Sequence, residues 1–262
     1  MLIDTHCHIH EFDYPFEAGE VISRAHAAGV EKIICVGTNL TDSKLALDLA
    51  TKHDGVFASV GVHPHYAKED IGDLARLVDS VHSGNKLVAI GEIGLDYHYS
   101  DGTSHDAQKK ILKQQIELAL DHDLPIIFHV HDAYDEFWEV LDGFKDDGRQ
   151  IRGVLHCFTD TIENSKEGLK RGFYISLNGI CTFTHDKLQK EMFDSIPLDK
   201  ILLETDAPWL TPYPLRGKIK ENEPAFVREV AEYIGQTRNV PIEQIADITT
   251  RNASKLFKYI NH

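Results

Sequence analysis

Histidines and acidic residues recur in this chain at the ends of short apolar runs. Six phrases carry the pattern: Leu2-Ile-Asp-Thr-His6-Cys-His8, Ala58-Ser-Val-Gly-Val-His63-Pro-His65, Val88-Ala-Ile-Gly-Glu92, Ile126-Ile-Phe-His129, Val154-Leu-His156 and Ile201-Leu-Leu-Glu204-Thr-Asp206. Imidazole nitrogens and carboxylate oxygens are donors for divalent ions, and ions so held activate water for hydrolysis. His6 and His8 alternate by two residues, which on a strand puts both rings on one face. With Asp4 beside them at a strand end, they read as a pair of ligands. Glu92 closes a buried run, where a carboxylate lacking a counter-charge is costly. It is the candidate to bridge two ions; the ordinary alternative is a salt bridge to a buried cation. His129 and His156 end two further runs and would serve a second ion. Asp206 would join the ion held by His6 and His8 and orient the attacking water. Six donors of mixed nitrogen and oxygen type suit two divalent ions about 3.5–4 Å apart.

Other residues leave more than one reading open. His63 is either a ligand or a donor to the substrate, and the donor role is favoured. Glu204 alternates with Asp206 and is a general base, a support behind a ligand, or half of a buried ion pair. Arg216-Gly-Lys218-Ile-Lys220 follows the last run, where barrels often bind phosphate; the alternative is a solvated basic loop. His10, His65, His98 and His131 are spare histidines, expected behind the ligands or in solvent. Cys7 and Cys157 adjoin ligand histidines and should point away from them as packing residues. No G-x-S-x-G elbow and no P-loop occurs.

Positioning such donors requires strands that end together. Apolar segments near 2–6, 32–36, 56–61, 87–92, 125–130, 152–157, 173–177 and 200–204 read as buried parallel strands. Amphipathic stretches lie between them. Ala18, Val21, Ile22, Ala25 and Ala28 follow helical spacing, with Gly29 as a stop. Thr41 or Asp42 is expected to cap a helix running to about 53. Ser104 opens one that buries Leu112, Ile116, Ala119 and Leu120. Pro224 stands at the first position of another, and a last helix covers 242–258. Eight strands with helices between them in 262 residues predict a single α/β domain over 1–262, a (β/α)8 barrel with the site at the carboxyl ends of its strands. A doubly wound open sheet is the competitor, but it would gather donors at one crevice and not from both ends of the chain.

Composition sets limits. Hydrophobic content of 42% and charged content of 26% are those of a soluble globular protein. No apolar run approaches the roughly 20 residues of a membrane span. The chain opens into a strand with no signal-peptide pattern, and its four cysteines show no CxxC spacing, so a cytoplasmic location is expected. The net charge of −15 argues against a broad nucleic-acid-binding face, though bound cations can reverse the sign locally.

Asp4-Thr-His6-Cys-His8, Gly61-Val-His63-Pro-His65, Gly91-Glu92-Ile-Gly-Leu-Asp96-Tyr, His156-Cys-Phe, Leu203-Glu204-Thr-Asp206-Ala-Pro and Arg216-Gly-Lys218 followed by Asn222-Glu-Pro together resemble the TatD family of metal-dependent hydrolases. The resemblance runs over the whole chain and rests on the joint order of the phrases. It implies a TIM barrel, a two-metal site and DNase activity, usually 3′-to-5′ exonuclease action. By motif, His6, His8, Glu92, His129, His156 and Asp206 carry over as ligands and His63 as an active-site residue. The chain departs from the family's usual pattern at Ile9-His10, at His131 and at Phe158-Thr-Asp160, the last two being positions that bear on phosphate contacts. The stretch between Lys218 and Asn222 is also longer than usual.

The reading is therefore a divalent-metal-dependent phosphodiesterase acting on DNA ends or single strands. A metal-activated water attacks phosphorus. Asp206 orients it, Glu204 is the other acid at hand, and His63, Arg216 and Lys218 contact phosphate. The ions are Mg, Mn or Zn. A monomer with no membrane partner is expected. The alternative keeps the barrel and both metals but attacks a carbonyl, as a deacylase or cyclic amidase of the amidohydrolase type. A third reading is a non-catalytic metal-containing protein.

Overall fold

Eight short segments rich in Ile, Val and Leu form the strands of one parallel sheet. The computed structural model describes residues 1–68, 71–99, 102–145 and 148–261. The strands are β1 (Leu2–Cys7), β2 (Val30–Val36), β3 (Val56–Val60), β4 (Leu87–Asp96), β5 (Ile126–His131), β6 (Gly153–Leu155), β7 (Tyr174–Leu177) and β8 (Ile201–Leu203). Each pairs in parallel with the next in sequence order. The seam between β8 and β1 is drawn together just past the strand ends. There the Asp206 amide donates to His6 at 2.9 Å and the His8 amide to Ala207 at 2.7 Å. The sheet is thereby a barrel, as the alternation of runs predicts.

Helices cover the outside: α1 (Ala18–Ala27), α2 (Leu40–Lys52), α3 (Gly72–Val81), α4 (His105–Asp121), α5 (Tyr134–Asp142) and α6 (Ile162–Lys170). Two more, α7 (Ile180–Phe183) and α8 (Lys187–Ser195), separate β7 from β8, and α9 (Val227–Arg238) and α10 (Ile242–Leu256) complete the chain's helices among the described residues. Gly29 follows α1 at φ 83°, a conformation that suits glycine. Ser104 caps α4 as expected. The start of α2 differs from expectation. Asn39 is its cap, accepting from the Asp42 amide, because the Asp42 carboxylate is already turned back onto Thr38. β4 runs four residues beyond its expected end, since Gly94 and Asp96 keep pairing with His129 and His131 of β5. β6 and β8 are shorter than expected, since each gives way to the loop that carries its functional residues.

The barrel interior changes character in one pleat. The second residue of β1, β3, β4, β5, β6 and β8 is Ile3, Phe57, Val88, Ile127, Val154 and Leu202. These pack with Ile34 and Val36 against Ala253, Leu256, Phe257 and Ile260 at the end of α10 and the turn after it. Two residues further along β3, β5, β6 and β8 come Ser59, His129, His156 and Glu204, and β7 adds Ser176 two residues after Tyr174. The amino end is an apolar plug, and the carboxyl end is polar.

Candidate active site

His6 is next to last in β1, and His8 lies two residues on, just past the strand end. Asp4 ties this strand to the opposite side of the seam, accepting from the Thr205 amide at 2.9 Å and the Thr205 hydroxyl at 2.6 Å. Glu92 lies in β4, His129 in β5, and His156 follows β6. Two glycines let these strands approach. A side chain at Gly94 would lie 1.7 Å from the His129 carbonyl oxygen, and one at Gly61 would lie 2.7 Å from Gly91 backbone. Any larger residue would push Glu92 away from its neighbours on both sides.

The six expected donors converge. The Nε2 atoms of His6 and His8 face each other at 3.1 Å. Asp206 Oδ1 is 3.6 Å from each of them. Glu92 Oε2 is 3.5 Å from His6 Nε2. On the other side, Glu92 Oε1 is 2.7 Å from His129 Nδ1 and 3.2 Å from His156 Nε2. Two donors on one tetrahedral ion with bonds near 2.1 Å stand about 3.4 Å apart. The observed spacings thus fit two groups of donors, with one Glu92 oxygen in each. His6 Nδ1 and His8 Nδ1 are buried without hydrogen-bond partners, as befits rings held for some purpose other than packing. The residues present fit divalent cations.

Electrostatics point the same way. Burial pushes the Glu92 carboxyl up, but His156, His129 and His6 hold it well below the usual carboxylate range. Burial disfavours a charged His129, yet Asp96 and Glu92 raise it to about 9. Burial and the neighbouring His129 keep His63 well below the usual histidine range, so it is neutral at pH 7. With no cation bound, the carboxylates draw protons toward His8, His129 and His156, and a metal would take the protons' place.

The remaining expected residues fall into distinct places. His63 caps a 3-10 turn, Pro64–Tyr66, and its Nε2 is 3.8 Å from Glu92 Oε1. Glu204 is buried away from the cavity. Its Oε1 takes His156 Nδ1 at 3.1 Å, the Cys157 amide at 2.8 Å and the Asn178 amide at 2.9 Å. Burial raises the Glu204 carboxyl, but His156 overrides this and holds it at about 2. Arg216 and Lys218 are exposed on the loop after β8 and do not line the cavity; Arg216 rests over the Phe183 ring at 3.8 Å. Cys7 is buried among apolar side chains, whereas Cys157 stands at φ 46° past the end of β6 and lines the cavity, contrary to its expected packing role. The chain has left the strand there, and strand alternation no longer sets its direction.

Sequence reasoning missed Asp96. Its Oδ2 is 3.0 Å from His129 Nε2 and 3.1 Å from His65 Nε2, so it fixes the ring that also meets Glu92. The signal was available: residues 92, 94 and 96 share a strand face. His98 and His131 stack at 4.2 Å beside the opening, where His131 lines the cavity.

The cavity measures about 950 Å³ and is open to solvent on one side. His8, His63, Glu92, His129, His156 and Asp206 form part of its floor and walls. Phe12, Tyr66, Tyr99 and Trp209 stand exposed around it.

Comparison with known proteins gives consistent matches. A family model described as TatD related DNase matches residues 3–258. A metal-dependent hydrolase of Bacillus subtilis, YabD, is 40% identical over 259 residues, covering 98% of this chain and 99% of that protein. The 3′-5′ ssDNA/RNA exonuclease TatD of Citrobacter rodentium is 36% identical over 241 residues, covering 91% and 90%. Among solved structures, the TatD homologue YJJV of Escherichia coli superposes with a TM-score of 0.88 at 28% identity, covering 98% of each chain.

Proposed function

The chain belongs to the TatD family of metal-dependent hydrolases, and on that premise we propose that it hydrolyses phosphodiester bonds at the 3′ ends of single-stranded DNA. The observation that carries this reading is the pair of donor groups that share Glu92 beside an open, aromatic-rimmed cavity. Divalent ions held by His6, His8 and Asp206 on one side and His129 and His156 on the other would polarise the phosphate and lower the pKa of a water. Imidazole-rich sets favour zinc or manganese over magnesium.

The chain's own residues divide the remaining work. Asp206 is partly exposed toward the cavity; it orients the attacking water and takes its proton. His63 is neutral and donates a hydrogen bond to a phosphate oxygen. Glu204 acts through His156, which it holds by Nδ1. It is a positioning residue, and its burial argues against the general-base role. Asp96 does the same for His129. Phe12, Tyr66, Tyr99 and Trp209 offer faces on which unpaired bases stack, at about 1–3 kcal/mol each. That suits a frayed or single strand and compensates for a net charge of −15. Arg216 and Lys218 reach phosphates further along the strand. Four free cysteines fit a reducing, cytoplasmic setting, and among the described residues no helix is long and apolar enough to cross a membrane.

The test is digestion of 5′-labelled single-stranded DNA with Mn²⁺ or Zn²⁺. A ladder shortened from the 3′ end and abolished by chelator is expected. Hydrolysis of a lactam or aminoacyl ester with no cleavage of DNA would transfer the site to the amidohydrolase reading. Inactivity on every substrate with both ions bound would make it a metal-containing binding protein.

A further inference from the structure

A second cluster of donors lies behind His8, and the two-ion reading does not use it. His10 follows β1 in the turn that starts at Ile9, and its side chain is fully buried. Its Nε2 is ion-paired with Asp42 Oδ1 at 3.1 Å, while its Nδ1 has no hydrogen-bond partner. Asp42 is anchored through its other oxygen, which takes the Thr38 amide at 2.8 Å and the Thr38 hydroxyl at 3.0 Å. Its Oδ1 is therefore held toward His10 by the start of α2. His8 completes the group. Its Nε2 faces His6, Asp206 and Glu92, while its buried Nδ1 has no hydrogen-bond partner and finds its nearest carboxylate, Glu11, at 3.9 Å. The His8 and His10 rings stand 6.0 Å apart between centroids, tilted by 40°. One donor atom from each of His8, His10 and Asp42 lies within 4.8 Å of the others.

We propose that His10, Asp42 and the outward nitrogen of His8 form a third divalent-cation site of zinc-class preference. Two imidazoles and one carboxylate are a zinc-type donor set, with a fourth position open to water. A buried histidine facing a buried carboxylate is satisfied by a proton, and a zinc-class ion can take that proton's place. The Asp42 carboxylate is fixed in advance through the oxygen that does not face His10. Entry is available, since His8 and Asp42 both line the cavity. Sharing His8 would couple this ion to the pair around Glu92: its ring would give up its N–H proton to solvent and serve, as imidazolate, an ion through each nitrogen.

The test is an anomalous difference map from crystals of zinc-loaded protein, measured on both sides of the zinc edge. The wild type should show a peak within about 2.0–2.2 Å of His10 Nε2 and Asp42 Oδ1, separate from any peaks at Glu92. His10→Gln and Asp42→Asn should each lose that peak and one equivalent of zinc by mass spectrometry, and should keep the peaks at Glu92. Peaks at Glu92 with none at His10 in the wild type would overturn the proposal and leave an ion pair between His10 and Asp42. A peak that persists in both variants would equally overturn it. A map with the His10 peak and no peaks at Glu92 would instead count against the two-ion reading and leave this one standing. The wild-type map decides the matter if a variant fails to fold.

Discussion

The two ends of the barrel are built by the same strands and follow opposite rules. At the amino end, Ile3, Phe57, Val88, Ile127, Val154 and Leu202 meet Phe257 and Ile260, and charge reaches that apolar cluster through the Lys86 ammonium over the Phe57 ring at 5.3 Å and the Lys32 ammonium on the Ile260 carbonyl. Each buried side chain there contributes about 1.5–3 kcal/mol by leaving water. One pleat higher, the same faces carry His129, His156 and Glu204, while Ser59 and Ser176 hydroxyls are buried without a hydrogen-bond partner. Burying such groups costs free energy unless a cation or proton meets them. The plug supplies stability that the mouth spends on holding donors ready. Damage at the two ends should therefore be read by different instruments: melting below, metal content and turnover above.

The sharpest way to break that division is Glu92→Ala. It removes an oxygen from both donor groups, so bound metal should fall by more than about 100-fold in affinity and turnover should disappear. The metal-free protein should melt close to wild type, because His129 keeps Asp96 and His156 keeps Glu204 as carboxylate partners once Glu92 has gone. Dialysis against a strong chelator followed by metal analysis and calorimetry checks both halves. A large drop in melting temperature would mean the mouth, too, is structural.

Asp206→Asn comes next. If Asp206 takes the water's proton, kcat should fall about 10²–10⁴-fold, with the melting curve within about 1 kcal/mol of wild type. Phe257→Ala is the mirror experiment. It opens a cavity in the plug, costs about 3–5 kcal/mol by denaturant titration, and should leave kcat near wild type wherever the protein stays folded. Lost turnover in folded Phe257→Ala would show that the plug sets the geometry of the mouth.

His63→Ala separates donor from ligand. Turnover should drop about 10²-fold, as for loss of one aimed donor, while metal content matches wild type. Metal loss equal to that of Glu92→Ala would make His63 a ligand. The smallest effects belong to Arg216→Ala and Lys218→Ala, which should raise KM for DNA more than they lower kcat. Salt should weaken binding only modestly, as expected for about one to three phosphate contacts. Variants indistinguishable from wild type across a NaCl series would mark the loop as solvated surface.

Much of this was legible in the chain itself. Local apolar runs ending in His or Glu specified eight parallel strands and the face on which each donor stands, because strand alternation is a short-range property. The phrases around His6, Glu92 and Asp206 marked the family for the same reason. Where the backbone leaves the strand, that rule lapses. Cys157 turned into the cavity at φ 46°. Asp96 became a partner of His129 only because β4 continues past Glu92 in register with β5.

The sequence by itself determined which side chains could bind metal and that they would gather at one end of a barrel. Tertiary structure alone decided how they divide: that each oxygen of Glu92 faces a different group, that Glu204 sits behind His156, and that His10 meets Asp42 across two elements. The physical reason is that donor spacing depends on strand register, on close approach at Gly61 and Gly94, and on which oxygen the start of α2 leaves free. None of these is encoded within the reach of a single strand or helix; each exists only when distant segments pack.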